Sequence, residues 1–124
     1  MNENRPINLD VTKYRFPAPA IASILHRISG LLIFLLIPFL LWMFDKSLRS
    51  PVHYSQLQNA LEFDSVRWIV WFLLSSLVYH FIAGIRHLLM DVGIGESKIA
   101  GRLTAYLAMV ISGIFIVWMG WWLW

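Results

Sequence analysis

An all-α membrane protein with three transmembrane helices is encoded here, and hydropathy, basic-residue placement and tryptophan placement each point to it. Of 124 residues, 59% are hydrophobic and only 14% are charged. Soluble domains carry about 25% charged residues. Residues 28–44 and 103–124 contain no Asp, Glu, Lys, Arg or His, and residues 68–85 contain only His80. Each run is long enough to cross a hydrocarbon core about 30 Å thick, which takes roughly 17–25 residues. The segments between the runs are too short to build a soluble core. The chain therefore divides into an N-terminal arm, residues 1–19, and one anchor domain, residues 20–124. Its spans cover about residues 20–45, 65–91 and 103–124.

Orientation follows from the basic residues. Arg5, Lys13, Arg15, Arg27, Arg86, Lys98 and Arg102 fall on one side, and Lys46, Arg49 and Arg67 on the other. The positive-inside rule puts the N-terminus in the cytoplasm and the C-terminus outside. Trp42 closes the first span, Trp68 and Trp71 open the second, and Trp118, Trp121, Trp122 and Trp124 end the third. All seven then sit toward the outer headgroup interface, which tryptophan prefers.

The helix ends are readable in order. Pro17 and Pro19 suit an extended arm or a first helical turn, so the first helix is expected to start near Ala20. Pro38 lies inside it and predicts a kink. Asp64 or Ser65 is the expected N-cap of the second helix. Gly93 and Gly95 end that helix after Asp91. The third helix carries Gly101, Ser112, Gly113 and Gly120, which permit close helix contact, and no expected chemistry.

Several classes are excluded. The first 27 residues are polar, contain proline and are mixed in charge, unlike a signal peptide. The pI near 9.6 does not indicate nucleic acid, because the basic residues flank membrane spans. There is no cysteine, so any metal must use His, Met or carboxylate.

Residues 80–91, HFIAGIRHLLMD, hold the most informative polar groups. At about 100° per residue, Ser76, His80, Gly84, His87 and Asp91 fall within about 40° of one line. A stripe of polar and small residues at membrane depth faces protein, a cofactor or water. For His80 three readings stand: a core imidazole bonded to a neighbouring helix, a haem ligand, or a proton relay. Gly84, one turn on, would let a flat ring approach the backbone. Zinc is disfavoured, since His80 and His87 lie two turns, about 10 Å, apart. Arg86 sits about 120° off the stripe and is expected to meet lipid phosphate or a partner subunit. Asp91 is expected to pair with a basic group at the helix end.

A second cluster, AIASILHRISG, occupies residues 20–30. Ser23 and Arg27 share one face as i, i+4 neighbours, and His26 points about 100° away. Arg27 reads either as a snorkelling interface anchor or, with Ser23, as a donor and cation suited to a carbonyl oxygen that becomes anionic on reduction. The stripe from Ser76 to Asp91 has few partners within the chain. His80 is expected to be left unsatisfied without a second anchor.

Together the two clusters resemble the cytochrome b large membrane-anchor subunit of succinate dehydrogenase, over the whole chain. The second motif is the more specific, with His80, Gly84, Ile85, Arg86, His87, Leu88, Met90, Asp91 and Gly93 all in place. The first is Arg5-Pro6 followed by Ser23, His26, Arg27 and Ser29. Ala18 departs from it, standing where a larger apolar residue or proline is usual. The resemblance implies a multi-pass protein of the bacterial inner membrane that pairs with a second membrane-anchor subunit. Both anchors would dock an iron–sulfur subunit and a flavoprotein subunit, and electrons from succinate would reach ubiquinone. It implies a haem b whose iron takes His80 as one axial ligand, with the other from the partner. It implies quinone contacts at Ser23 and Arg27, and a haem propionate region near His26, Arg27 and His87. Gly84, Arg86 and Asp91 take structural or secondary parts. No catalytic residue and no activity are expected of the chain alone. A haem-free structural anchor and the anchor of a related fumarate reductase remain as alternatives.

Overall fold

The computed structural model describes residues 16–124. Arg5, Pro6, Lys13 and Arg15 of the arm lie outside the described residues. Among those described, four helices follow one another: α1 (Ala18–Arg49), α2 (Pro51–Ala60), α3 (Asp64–Asp91) and α4 (Lys98–Leu123). Three of them, α1, α3 and α4, are long and apolar enough to cross a membrane. The three expected spans are therefore present, each somewhat extended, and α2 is an addition.

The extensions have local causes. Pro17 is the N-cap residue of α1 and Pro19 lies in its first turn, where a missing N–H costs no bond. The helix runs unbroken through Pro38 to Arg49. Its last turn carries an exposed Asp45–Arg49 ion pair at 2.6 Å. At 1.5 Å per residue α1 is about 48 Å long, so it projects beyond the hydrocarbon. Ser50 then caps α2, accepting from the His53 amide at 3.3 Å, with Pro51 at the first helical position. For α3 the expected cap is corrected: Phe63 is the N-cap residue and makes no side-chain cap bond. Asp64 instead stands in the first turn, where its charge favours the helix N-terminus. Arg67 reaches back and donates to the Leu61 carbonyl at 2.7 Å, fixing that turn. α4 starts before residue 103 because Ser97 accepts from the Ala100 amide at 3.1 Å.

The α3 stop is as expected. Gly93 has φ 85°, a left-handed conformation open to glycine at little cost. The Ile94 amide donates to the Leu89 carbonyl at 2.8 Å and Gly93 to Met90 at 2.9 Å. That paired arrangement is a Schellman motif.

α3 packs on both α1 and α4, and α1 and α4 also meet, around Ala18, Ala22 and Ala105. The contacts run along small residues. Ala18, Ala22 and Ser29 are buried on α1, and Gly101, Ala105, Ala108 and Ser112 on α4. Small side chains let helix backbones approach closely where lipid offers no hydrophobic drive for association. Two buried hydroxyls are satisfied within their own helices: Ser76 donates to Phe72 O at 2.8 Å and Ser112 to Ala108 O at 2.7 Å. Ser75 Oγ, by contrast, is buried without a partner among the described residues. Large side chains such as Phe34, Phe81 and Val117 stay exposed, as a lipid or partner surface requires.

Candidate functional site

The crossing of α1 and α3 gathers three histidines. His26 stacks on His80 with ring centroids 4.1 Å apart and 21° between planes. His87 lies on its other side, centroids 5.0 Å apart and tilted by 38°. The spacing of His80 and His87 on α3 leaves room for one ring from α1, and His26 takes it. Tyr79 pins the crossing by donating from its hydroxyl to the Ala22 carbonyl at 3.2 Å.

His80 is not left unsatisfied, contrary to expectation. Its Nδ1 lies 3.2 Å from the His26 carbonyl and 3.1 Å from Ser29 Oγ. The Ser29 hydroxyl donates to the same carbonyl at 2.7 Å. A carbonyl only accepts, and a hydroxyl spending its proton on that carbonyl offers lone pairs to the ring. Both contacts therefore assign the proton to Nδ1 and leave Nε2 with a bare lone pair. Nε2 has no hydrogen-bond partner among the described residues. The unsatisfied nitrogen is on the other ring: His26 Nε2 is buried without a partner.

Two glycines shape the space. A Cβ at Gly30 would stand 3.0 Å from His80 Cε1, so the bare backbone of α1 is what admits the ring. A Cβ at Gly84 would meet His26 Nε2 at 3.6 Å, an ordinary contact. Gly84 was expected near a flat ring, and it faces the orphaned nitrogen. Ser29 and Gly30 went unweighed in the sequence as parts of the His80 environment. Their signal was present, one helical turn after His26 in the run HRISG.

The remaining residues divide. Ser23 is half-buried and Arg27 exposed on α1, and neither bonds to a described residue. Arg86 is corrected. It does not extend to lipid or a partner but is 7% exposed. It donates from Nη2 to the Gly101 carbonyl at 3.0 Å and from Nε to Thr104 Oγ1 at 3.2 Å. α4 passes on that side of α3, so the guanidinium finds its acceptors inside the chain. Asp91 is exposed and forms no ion pair among the described residues, so its expected pairing is absent. No group of three or more His, Asp or Glu converges to hold a metal ion among the described residues. A single imidazole to one face of an iron does not need such a group.

Comparison with known proteins places the chain in a family. The family model described as succinate dehydrogenase/fumarate reductase transmembrane subunit matches residues 1–122. A succinate dehydrogenase cytochrome b556 subunit of Coxiella burnetii is 43% identical over 125 residues, covering 100% of both chains. The protein of that name from Rickettsia bellii is 32% identical, over 91% of this chain and 88% of its own. A succinate dehydrogenase cytochrome b560 subunit of Reclinomonas americana is 32% identical, over 96% and 88%. With three apolar helices and bacterial relatives, the chain is a multi-pass protein of the bacterial inner membrane. It is a membrane-anchor subunit within an oxidoreductase complex and so has partner subunits there. The chain belongs to the succinate dehydrogenase/fumarate reductase transmembrane subunit family.

Proposed function

We propose that this subunit holds haem b jointly with a second membrane-anchor subunit and contributes to the ubiquinone-reduction site. It would hold the iron–sulfur and flavoprotein subunits at the membrane. The observation that carries the reading is His80. One ring nitrogen is tied to a carbonyl and the other is free, which is how a metal-ligating histidine is oriented and tuned. These residues fit the group. His80 would hold the iron through Nε2, and the partner anchor would supply a second ligand. His26 Nε2 finds no acceptor within the chain, and turned outward it would meet one such as a propionate, with Arg27 and His87 in the same region. When bound, haem supplies one-electron redox chemistry.

Ser23 and Arg27 are proposed to line the quinone pocket. As electrons reach the quinone, negative charge develops on its carbonyl oxygen. The Ser23 hydroxyl would donate to that oxygen, and the Arg27 guanidinium would offset the charge. We also place residues 1–19 as a cytoplasmic arm and residues 20–124 as the anchor domain, N-terminus inside. The measurement for the haem is a reduced-minus-oxidised spectrum of the assembled complex. Replacing His80 with Leu or Tyr should change the b-type bands. An unchanged spectrum and potential would leave His80 as a structural core residue in a haem-free anchor. For the quinone, Ser23→Ala should impair quinone reduction while succinate oxidation by an artificial acceptor is retained. Loss of a donor to a developing charge costs about 2.7–4 kcal/mol at most. Normal quinone kinetics in Ser23→Ala and Arg27→Gln would reduce Arg27 to an interface anchor. Relative rates with ubiquinone and menaquinone distinguish the succinate-oxidising anchor from that of a fumarate reductase.

A further inference from the structure

One flank of α3 takes no part in the histidine cluster. It runs from Arg67 through Val70, Leu74, Leu77 and Phe81, whose spacings of three and four residues put them on one helix face. Two cavities lie along it. One, of about 290 Å³, is lined by Gln58, Glu62, Arg67, Leu74 and Trp122 among others. The other, of about 460 Å³, is lined only by Leu77, Val78, Phe81, Ile82 and Phe115. Leu74 of the first is one turn from Leu77 and Val78 of the second, so the cavities follow one another along the helix. The result is a groove with a charged head and an apolar tail.

Arg67 is held at the head. Its Nε donates to Leu61 O at 2.7 Å and its Nη1 lies 3.6 Å from Asp64. Nη2 has no partner among the described residues. Glu62 lines the same cavity and brings the opposite charge. Trp68 and Trp122 stand at this end, at the level tryptophan prefers in a bilayer.

We propose that this groove binds one phospholipid with a primary-amine headgroup. Its phosphate would lie on Arg67, its ammonium on Glu62, and one acyl chain along Leu74, Leu77 and Phe81. A net-anionic lipid matches Arg67 but is opposed by Glu62 and Asp64. A zwitterion matches both signs. A primary ammonium also donates hydrogen bonds to a carboxylate, which a quaternary one cannot. Length agrees: Leu77 lies about 15 Å along the helix from Arg67 at 1.5 Å per residue, roughly the depth of one leaflet's hydrocarbon, and Phe81 stands one turn beyond, at the chain's end. Arg67 and Glu62 lie at the end of α3 opposite the histidines, and Phe81 is turned about 100° around the helix from His80, so the site shares no residue with the haem and quinone reading.

The test uses the assembled complex, delipidated and titrated with phosphatidylethanolamine, phosphatidylcholine and phosphatidylglycerol under native mass spectrometry. One phosphatidylethanolamine per anchor chain should be retained in preference to the other two. Arg67→Gln and Glu62→Gln should each weaken retention about tenfold or more, the ratio that goes with one hydrogen bond to a charged group. Leu77→Trp, which fills the apolar cavity without touching the head, should weaken it too. Equal retention of phosphatidylglycerol, or undiminished retention in Arg67→Gln, overturns the assignment. A photoreactive side chain at Phe81 in the otherwise unaltered complex gives a second readout. In the delipidated complex given equal amounts of the three lipids, an adduct with phosphatidylethanolamine above the other two supports the proposal even if a head variant does not assemble, and equal adducts with all three overturn it. An adduct with a protein subunit shows a protein interface and overturns it.

Discussion

Gly30 and Gly84 each lie beside an imidazole, but the space available differs by enough to separate their roles. An added methyl at Gly30 comes within 3.0 Å of His80 Cε1 and 3.4 Å of Nδ1. The ring must move, and the Nδ1 contacts to Ser29 and His26 must stretch. Gly30→Ala is expected to lower haem retention and shift the b-type bands of the complex. At Gly84 the nearest atom is 3.6 Å away, so Gly84→Ala leaves the α1–α3 crossing in place. If the optical spectrum of Gly30→Ala is indistinguishable from the parent, the ring is not held by that close approach. Ser29→Ala tests the tether from the other direction. It removes one of two acceptors near Nδ1 and leaves the His26 carbonyl, so the cost should be near 1 kcal/mol, seen as a small loss of stability. A sequence shows that His26, Ser29 and His80 are polar residues in apolar helices. It does not show that His26 lies between His80 and His87, because that depends on the angle at which α1 crosses α3.

At the scale of elements, Arg86 joins α3 to α4. Replacing it with Met removes two hydrogen bonds from a charged donor and should lower thermal stability of the complex by about 1.5–3 kcal/mol. Lysine cannot reproduce the two-pronged contact, so Arg86→Lys should recover little of the loss. Thr104→Val removes only the weaker of the two contacts and should cost less. Equal melting of the Arg86→Met complex and the parent would show that the small-residue stripe alone sets the α3–α4 contact. This staple was hidden in the sequence for a physical reason. Arg86 stands at a helix end where snorkelling is usual, and only the docking of α4 brings the Gly101 carbonyl within reach. The three spans were legible because lipid demands long uninterrupted apolar runs. The α3 stop was legible because Gly93 at φ 85° needs glycine. The short α2 was missed because its residues are mostly polar, although Ser50-Pro51 carried an N-cap followed by a first-turn proline. The Asp64 cap failed by one residue, since an acidic residue serves a first turn almost as well as it serves a cap.

For the molecule as a whole, three helices that each cross the membrane would put the two ends of the chain on opposite faces. Seven basic residues beside the N-terminal face and three beside the other predict which is which. A reporter fused after Trp124 should be active only where the outer compartment permits, and cytoplasmic activity would refute this. The last expectation concerns the chain without its complex. Its buried apolar core is thin, consisting mainly of alanines with Leu73 and Tyr79, and most large side chains point outward. The His80 ring is satisfied within the chain, but His26 Nε2 is buried with no partner. Leaving such a group unpaired costs about 1–3 kcal/mol, and more where hydrocarbon excludes water. Assembly that turns the His26 ring toward an acceptor on the partner anchor or haem would remove this penalty and favour the assembled form by mass action. The isolated chain should therefore melt below the complex. The same reasoning fixes the sign of one substitution in two settings. In the isolated, haem-free chain His26→Phe replaces an orphaned polar ring by an apolar one of similar shape, and should hold or raise the melting temperature. In the complex the same change would remove the donor proposed for haem or the partner, and should lower both haem content and stability. Destabilisation of equal size in both settings would mean that His26 serves only as packing between His80 and His87.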